Sequence, residues 1–288
     1  MISNMLRESL STHRLREFAF GNEDFEALRK LVKELTGINL SDQKRELVYG
    51  RLARRLRALQ LKTFAEYREL LSQDNGQEIG ELCNAITTNL TSFFREPHHF
   101  EYLREHVLLP LAADAAGTRR LRIWSAGCST GEEAYSLAMT IVETIPDLRR
   151  WDIRILATDL DSDVLQRAQR GIYAADRVRT LGPQRLSRFF VERRDREGLC
   201  YEVNPSISSL ITFKQLNLMH PMPMKGPLDA IFCRNVVIYF DKDTQRDLFA
   251  RVSRLQRPGD LLFLGHSESL FKVSDAYELI GKTIYRRG

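Results

Sequence analysis

Through the first third of the chain the apolar positions recur at helical spacing. Phe25, Leu28, Leu31, Val32 and Leu35 share one face, residues 22–24 offer a cap and Gly37 a stop. Ser41 and Asp42 offer the next cap, and Leu47, Val48, Leu52, Leu56 and Leu59 mark a second helix over 44–59. Amphipathic segments over 63–71 and 78–90 follow. No strand-period alternation interrupts them, so the region predicts a small helical bundle. A mixed polar and aromatic stretch over 87–100 leads into a helix opened by Pro97 and stopped by Pro110.

The period then changes. Leu121, Ile123 and Trp124 read as a short strand, Gly127 and Gly131 bracket a tight turn, and Ala134, Leu137, Ala138, Ile141 and Val142 restore helical spacing. Strand, glycine turn, helix opens a nucleotide-binding α/β fold, with the ligand across the strand's carboxyl end. A second strand over 153–158 ends at Asp159, and Asp161 can cap a helix over 164–170. Residues 171–213 break the rhythm with a helix around 184–190, a charged turn over 192–198 and alternating Leu199, Tyr201 and Val203. They predict an insert holding a small antiparallel hairpin. Strands resume over 211–216 and at the continuous apolar run 228–233, the pattern of a strand buried on both faces. Asp241 or Asp243 caps a helix over 245–255, and strands follow over 260–265 and near 282–286. The expected plan is a flexible tail over 1–21, a helical domain over 22–92, a connecting segment and helix over 93–118, and an α/β domain over 119–288 with its insert at about 171–213.

Charge and composition narrow the class. The 288 residues carry a formal net charge of +5, a modest excess that leaves nucleic acid, anionic lipid and an acidic protein surface open as partners. Cys83, Cys128, Cys200 and Cys233 lack metal-type spacing and suit free thiols in a reducing cytoplasm. No apolar run reaches membrane-spanning length, and the first residues show no signal-peptide pattern.

The glycine turn carries the candidate chemistry. A dinucleotide fold would show G-x-G-x-x-G and a free helix N-terminus for pyrophosphate. Here Gly131 is followed at once by Glu132 and Glu133, which would repel phosphate. The pocket therefore favours an adenosine cofactor without phosphates and with positive charge, as in S-adenosylmethionine (SAM). The alternative is that both glutamates only suit a helix start. Asp159 can hydrogen-bond a ribose or cap a helix. Asn217 and Leu218 can hold an adenine edge, or Asn217 can be a turn residue. Arg234 and Asn235 end the buried strand at the same sheet edge. The following VVIYF lacks the prolines of an amino-methylating nucleic-acid enzyme, so no nucleic acid is expected. Arg95, among Phe93, Phe94, His98 and His99, can clamp a carboxylate or pair with Glu96. The two histidines show no completing carboxylate or cysteine, so a structural role and no metal are expected. Arg51, Arg54, Arg55 and Arg57 form either a solvated face or a docking face for an acidic partner.

TTNLTSFFREPHHF, WSAGCSTGEEAYSLA, LATDLD, the LNL ending at Leu218, DAIFCRNVVIYF and LFLGHSES occur in that order, after GINLSDQKRELVYGRLARRLR. Together they span nearly the whole chain and resemble CheR, the chemoreceptor glutamate O-methyltransferase of bacterial chemotaxis. The resemblance implies a Rossmann-like SAM-dependent methyltransferase domain with an inserted antiparallel β-subdomain, preceded by an all-α domain. It implies cofactor contacts at Asn89, Thr91, Arg95, Gly127, Glu133, Asp159, Asn217, Leu218, Arg234 and Asn235, with Arg95 and Tyr239 as catalytic residues beside the reacting carboxylate. Phe93, Phe94 and Tyr239 would keep the site dry. The product would be S-adenosylhomocysteine (SAH), and the arginine-bearing helix would face the helical region of the receptor. Tether-binding members carry a glycine-rich turn in the insert where this chain reads ERRDRE over 192–197, which leaves a receptor tether peptide open as a partner. Two other classes remain, a SAM-dependent methyltransferase of RNA or a small molecule and a non-catalytic SAM-binding scaffold.

Overall fold

The computed structural model describes residues 16–114, 117–195 and 198–288, in two compact units that divide between Ile86 and Thr87. In the first unit the helices Asn22–Thr36, Arg45–Ala58, Phe64–Gln73 and Gln77–Ile86 bury Phe25, Leu28, Val48, Leu52, Leu56, Phe64 and Leu82. The expected tail over 1–21 needs correction where it is described. Phe18 and Phe20 are buried, because the Phe20 ring packs 4.4 Å from Phe64 and 6.1 Å from Phe25. Residues 1–15 lie outside the described residues. Gly21, rather than residues 22–24, is the first N-cap, and the Asp24 carboxylate accepts its N–H at 3.1 Å.

The helix expected over 78–90 stops at Ile86. Arg51 donates to the Ala85 and Ile86 carbonyls at 3.1 and 2.8 Å, closing the helix end. Thr87 and Asn89 instead donate to the Asp161 carboxylate, each at 2.7 Å. Residues 87–92 therefore group with the second unit and not with the helical domain drawn to 92.

The second unit holds β1 (Arg120–Ala126), β2 (Asp152–Asp159), β3 (Ile172–Ala174), β4 (Phe190–Asp195), β5 (Gly198–Val203), β6 (Ile211–Gln215), β7 (Ala230–Cys233), β8 (Leu261–Leu264), β9 (Tyr277–Gly281) and β10 (Ile284–Arg287). The main sheet runs β6-β2-β1-β7-β8-β10-β9; its first five strands are parallel, and β10 is antiparallel to both neighbours. Alternate residues face two cores. Ile123, Ile155, Phe232 and Phe263 pack with the helix Glu132–Thr144, while Trp124, Ile231, Leu262 and Leu264 pack with the helix Lys242–Val252. Chain order reverses between β1 and β7, which opens a ligand crevice at their carboxyl ends.

The insert is a three-stranded antiparallel sheet, β3-β5-β4. The charged turn expected over 192–198 is partly strand, since Glu192 pairs with Tyr201 and Arg193 with Cys200 across the hairpin. Pro110 does not end its helix. Residues Arg104–Leu108 form a π-turn, and Leu109–Ala113 continues beyond it. A widened turn relieves the carbonyl that faces a residue with no N–H.

Candidate functional site

The crevice is shaped by backbone that only certain residues can adopt. Gly127 has φ 80, and its N–H and that of Cys128 both donate to the Thr158 carbonyl, at 2.7 and 2.9 Å. A Cβ on Gly127 would stand 2.4 Å from the Val236 Cγ2, so the loops after β1 and β7 meet closely here. Asp159, at the end of β2, is buried. Its two oxygens accept the N–H of Ser129 at 2.8 Å and of Asp161 at 3.0 Å. Burial, with Asp161 nearby, pushes its pKa up to about 6. Asp161 and not Asp159 caps the helix Ser162–Arg170, accepting Asp163 and Val164 N–H at 2.9 and 3.2 Å. Its other oxygen holds Asn89, whose carbonyl accepts the Ser129 hydroxyl at 3.0 Å. Asn89, Ser129, Asp159 and Asp161 thus form one connected cradle. Thr91 is half-buried in the same segment.

The two glutamates at the helix start have different tasks. Glu132 is fully buried, paired with Arg177 of the insert and accepting the Thr130 hydroxyl at 2.6 Å. The charge argument drawn from both residues therefore applies only to Glu133. That carboxylate takes the Ser125 hydroxyl at 2.6 Å and Arg234 at 3.1 Å, and burial raises its pKa. Arg234 is itself buried. It also reaches Glu96 at 3.3 Å, donates to the Arg95 carbonyl and lies over the Phe100 ring. It ties the 92–97 segment to the end of β7.

Phe93 and Phe94, expected to keep the site dry, both pack against the insert. Phe93 is buried against Tyr173 and Phe190 at ring distances of 5.0 and 5.8 Å. Phe94 is half-buried, with the Arg185 guanidinium 3.9 Å above its ring. Aromatic contact with the insert fixes the first ring and a cation–π contact with it the second. Arg95 is half-buried, and its Nη1 donates to the Leu90 carbonyl at 2.9 Å. Tyr239 is half-buried in a short 3₁₀ turn after β7. Beyond β6, Asn217 Oδ1 accepts Met219 N–H at 2.9 Å, as a turn asparagine does, and Leu218 is buried.

Glu96, His98 and His99 bring potential metal-ligand atoms within 4.8 Å of one another, so the carboxylate judged missing from this pair is Glu96. Arg234 already supplies positive charge to that carboxylate. His99 is fully buried, and burial together with Arg234 lowers its pKa to about 4. A cavity of about 520 Å³ beside Tyr102, His106, Arg120 and Asp260 opens at the amino edge of the sheet, away from the crevice. Three residues that spacing did not single out support the site. They are Tyr173, which donates to the Thr130 carbonyl at 2.7 Å, Arg177 and Glu268.

The four arginines of the docking face separate. Arg51 caps a helix end, and Arg55 grips Glu78 at 3.0 and 2.6 Å and Glu81 at 2.9 Å. Arg57 pairs with Glu17 at 3.0 Å, and Arg54 is exposed. The expectation of four outward arginines is corrected, because 48, 51, 52, 55 and 56 share one i, i+3, i+4 stripe.

Comparison with known proteins now bears on the whole chain. The family model described as CheR methyltransferase, SAM binding domain, matches residues 89–286, and that described as CheR methyltransferase, all-alpha domain, matches residues 23–87. The chain is 42% identical over 276 residues to Chemotaxis protein methyltransferase 2 of Pseudomonas aeruginosa, covering 94% of this chain and 95% of that protein. It is 41% identical over 285 residues to Chemotaxis protein methyltransferase of Escherichia coli, covering 96% and 95%. A Salmonella typhimurium protein of the same name is 42% identical over 274 residues, covering 94% and 92%. With both family domains matched in order on a helical unit and a seven-stranded α/β unit, the chain belongs to the CheR family of SAM-dependent methyltransferases.

Proposed function

We propose that the protein transfers the methyl group of SAM to glutamate side chains in the cytoplasmic helical region of chemoreceptors, leaving γ-methyl esters and SAH. The observation that carries this reading is the near full-length match, at 41–42% identity, to proteins named chemotaxis protein methyltransferase. Four buried cysteines outside any disulfide suit work in a reducing cytoplasm.

The donor set fits such a cofactor. Asp159 offers a carboxylate to ribose hydroxyls, and Asn217 and Leu218 offer a polar and an apolar contact to adenine. Glu133, Asn89 and Thr91 present negative and polar groups to a cationic amino-acid end. Gly127, Arg95, Arg234 and Asn235 complete the set. When bound, SAM supplies an electrophilic methyl group on a sulfonium.

A substrate glutamate is ionised at neutral pH, with a reference pKa of about 4.3, so no general base is required. The protein's task is to hold the carboxylate in near-attack geometry and keep water away. Arg95 orients the oxyanion, and Tyr239 covers the reacting atoms. Arg54 and Arg57 offer exposed cations to an acidic receptor helix.

Incubation with methyl-labelled SAM and receptor-rich membranes tests the reading. Mild alkali should release the label from receptor as volatile methanol. Alkali-stable label on receptor would exclude carboxyl methylation, and label in RNA would point to a nucleic-acid substrate.

A further inference from the structure

One carboxylate holds the loop after β7 from behind. Glu268 is only 5% exposed and follows β8. One of its oxygens accepts the N–H of Gly265 at 2.6 Å and of Asn235 at 2.8 Å. The other accepts the N–H of Val237 at 2.8 Å and of Ile238 at 3.2 Å. A carboxylate is an acceptor only, with about four lone-pair sites, so four amides saturate it. Burial raises its pKa and the amide bonds oppose that rise.

The clamp acts where the backbone is least comfortable. Asn235 has φ 59, a left-handed conformation that costs a residue with a Cβ. Two clamp bonds, at Asn235 and Val237, bracket it. Gly265 allows the close approach, since a Cβ there would stand 2.4 Å from Asn235 Nδ2 and 2.9 Å from its backbone nitrogen. Arg234 lies immediately before the clamped amides and Tyr239 immediately after. The ends of β7 and β8 are thereby locked together at the carboxyl edge of the sheet.

We propose that Glu268 is a positioning residue of the methyl-transfer site, clamping the 235–238 backbone so that Asn235 meets the cofactor and Tyr239 the substrate carboxylate. The proposal rests on the reading that Asn235 contacts SAM. Glutamine is the informative substitution. Its single oxygen can serve only two of the four donors, and its NH₂ then faces the other two. Glu268→Gln should therefore loosen Asn235 while leaving cavity volume unchanged.

The test is a double-mutant cycle read by calorimetric SAH binding. Glu268→Gln should weaken SAH binding about tenfold. Combined with Asn235→Ala, it should bind little worse than the weaker single variant, because both act through one contact. Losses that multiply would assign Glu268 a general packing role and overturn the proposal, as would unchanged affinity in Glu268→Gln. Should that variant not fold, Glu268→Asp, which keeps the charge on a shorter side chain, enters the same cycle and must show the same non-additivity. A wild-type protein that binds no SAH would instead overturn the cofactor reading, and this inference with it.

Discussion

Nη1 of Arg234 lies 3.1 Å from Oε2 of Glu133, joining the end of β7 to the first turn of the helix Glu132–Thr144. The same guanidinium reaches Glu96 at 3.3 Å, and the Arg234 side chain is 2% exposed. Breaking a buried pair from one side strands the remaining charges, at a cost of about 3–5 kcal/mol. Arg234→Met should lose stability on that scale, and adding Glu133→Gln should recover part of it. Arg234→Lys keeps the charge but not the planar fork, and should fall between. Urea unfolding at neutral pH checks the series. Wild-type stability in Arg234→Met would mean the triad is not a structural joint.

Asp159 should govern SAH affinity and its pH dependence. A hydrogen bond to a charged group contributes about 1.5–3 kcal/mol, so Asp159→Ala should weaken binding by that amount. Burial pushes the carboxyl up to about 6, so it is ionised and able to accept ribose hydroxyls above that pH. Affinity should fall as pH drops through about 6, and the alanine variant should lose that inflection. For folding the sign is reversed. An acid raised from 3.8 to about 6 holds its proton more tightly when folded, so its own contribution favours the fold increasingly as pH falls across that window. Isothermal titration between pH 5 and 8 would sink the assignment if both proteins gave the same profile.

The parts of this molecule that were legible in advance are those set by period and by local chemistry. A continuous apolar run announced β7, and the spacing of Asp161 before an apolar-faced helix announced its cap. Partners distant in the chain were not legible. Nothing near Arg55 indicates that Glu78 is its acid, and nothing near Asn235 indicates Glu268. The inward direction of Arg51 and Arg55 was available from the i, i+3, i+4 stripe with Val48 and Leu52. Their charge alone points the other way, toward solvent. β3 is three residues long, and β9 leaves Leu279 59% exposed, so neither carries a clear burial pattern.

Arg54 and Arg55 should behave oppositely despite being neighbours. Arg55→Glu places a carboxylate against buried Glu78, to which Tyr67 also donates at 2.9 Å, so the helical unit should lose roughly 3–5 kcal/mol or unfold. Arg54 is exposed, so Arg54→Glu should leave thermal stability nearly unchanged. It should slow receptor methylation at low salt, with the gap narrowing as salt screens the attraction. Methylation rates of Arg54→Glu that equal wild type at every ionic strength would make this helix an ordinary solvated surface.

Arg95 and Tyr239 should separate orientation from water exclusion. The Arg95 carbonyl is held by buried Arg234, while its half-buried side chain donates only to the Leu90 carbonyl among the hydrogen bonds of its guanidinium in the described residues. The backbone is therefore fixed and the cation can turn to meet a carboxylate. Arg95→Ala removes the cation proposed to orient the nucleophile, and a displacement of about 1 Å can cost on the order of a hundredfold in rate. The loss should be larger in kcat than in SAH affinity, since Arg95 is one of several proposed cofactor contacts and Asp159, Asn217 and Leu218 are untouched. Arg95→Lys keeps the charge without the bidentate fork, so it should recover only part of the rate. Tyr239→Phe preserves the ring and should cost less than tenfold if covering the site is its main task. A large kcat defect in Tyr239→Phe with a small one in Arg95→Ala would reverse these roles and place the orienting contact on the phenol.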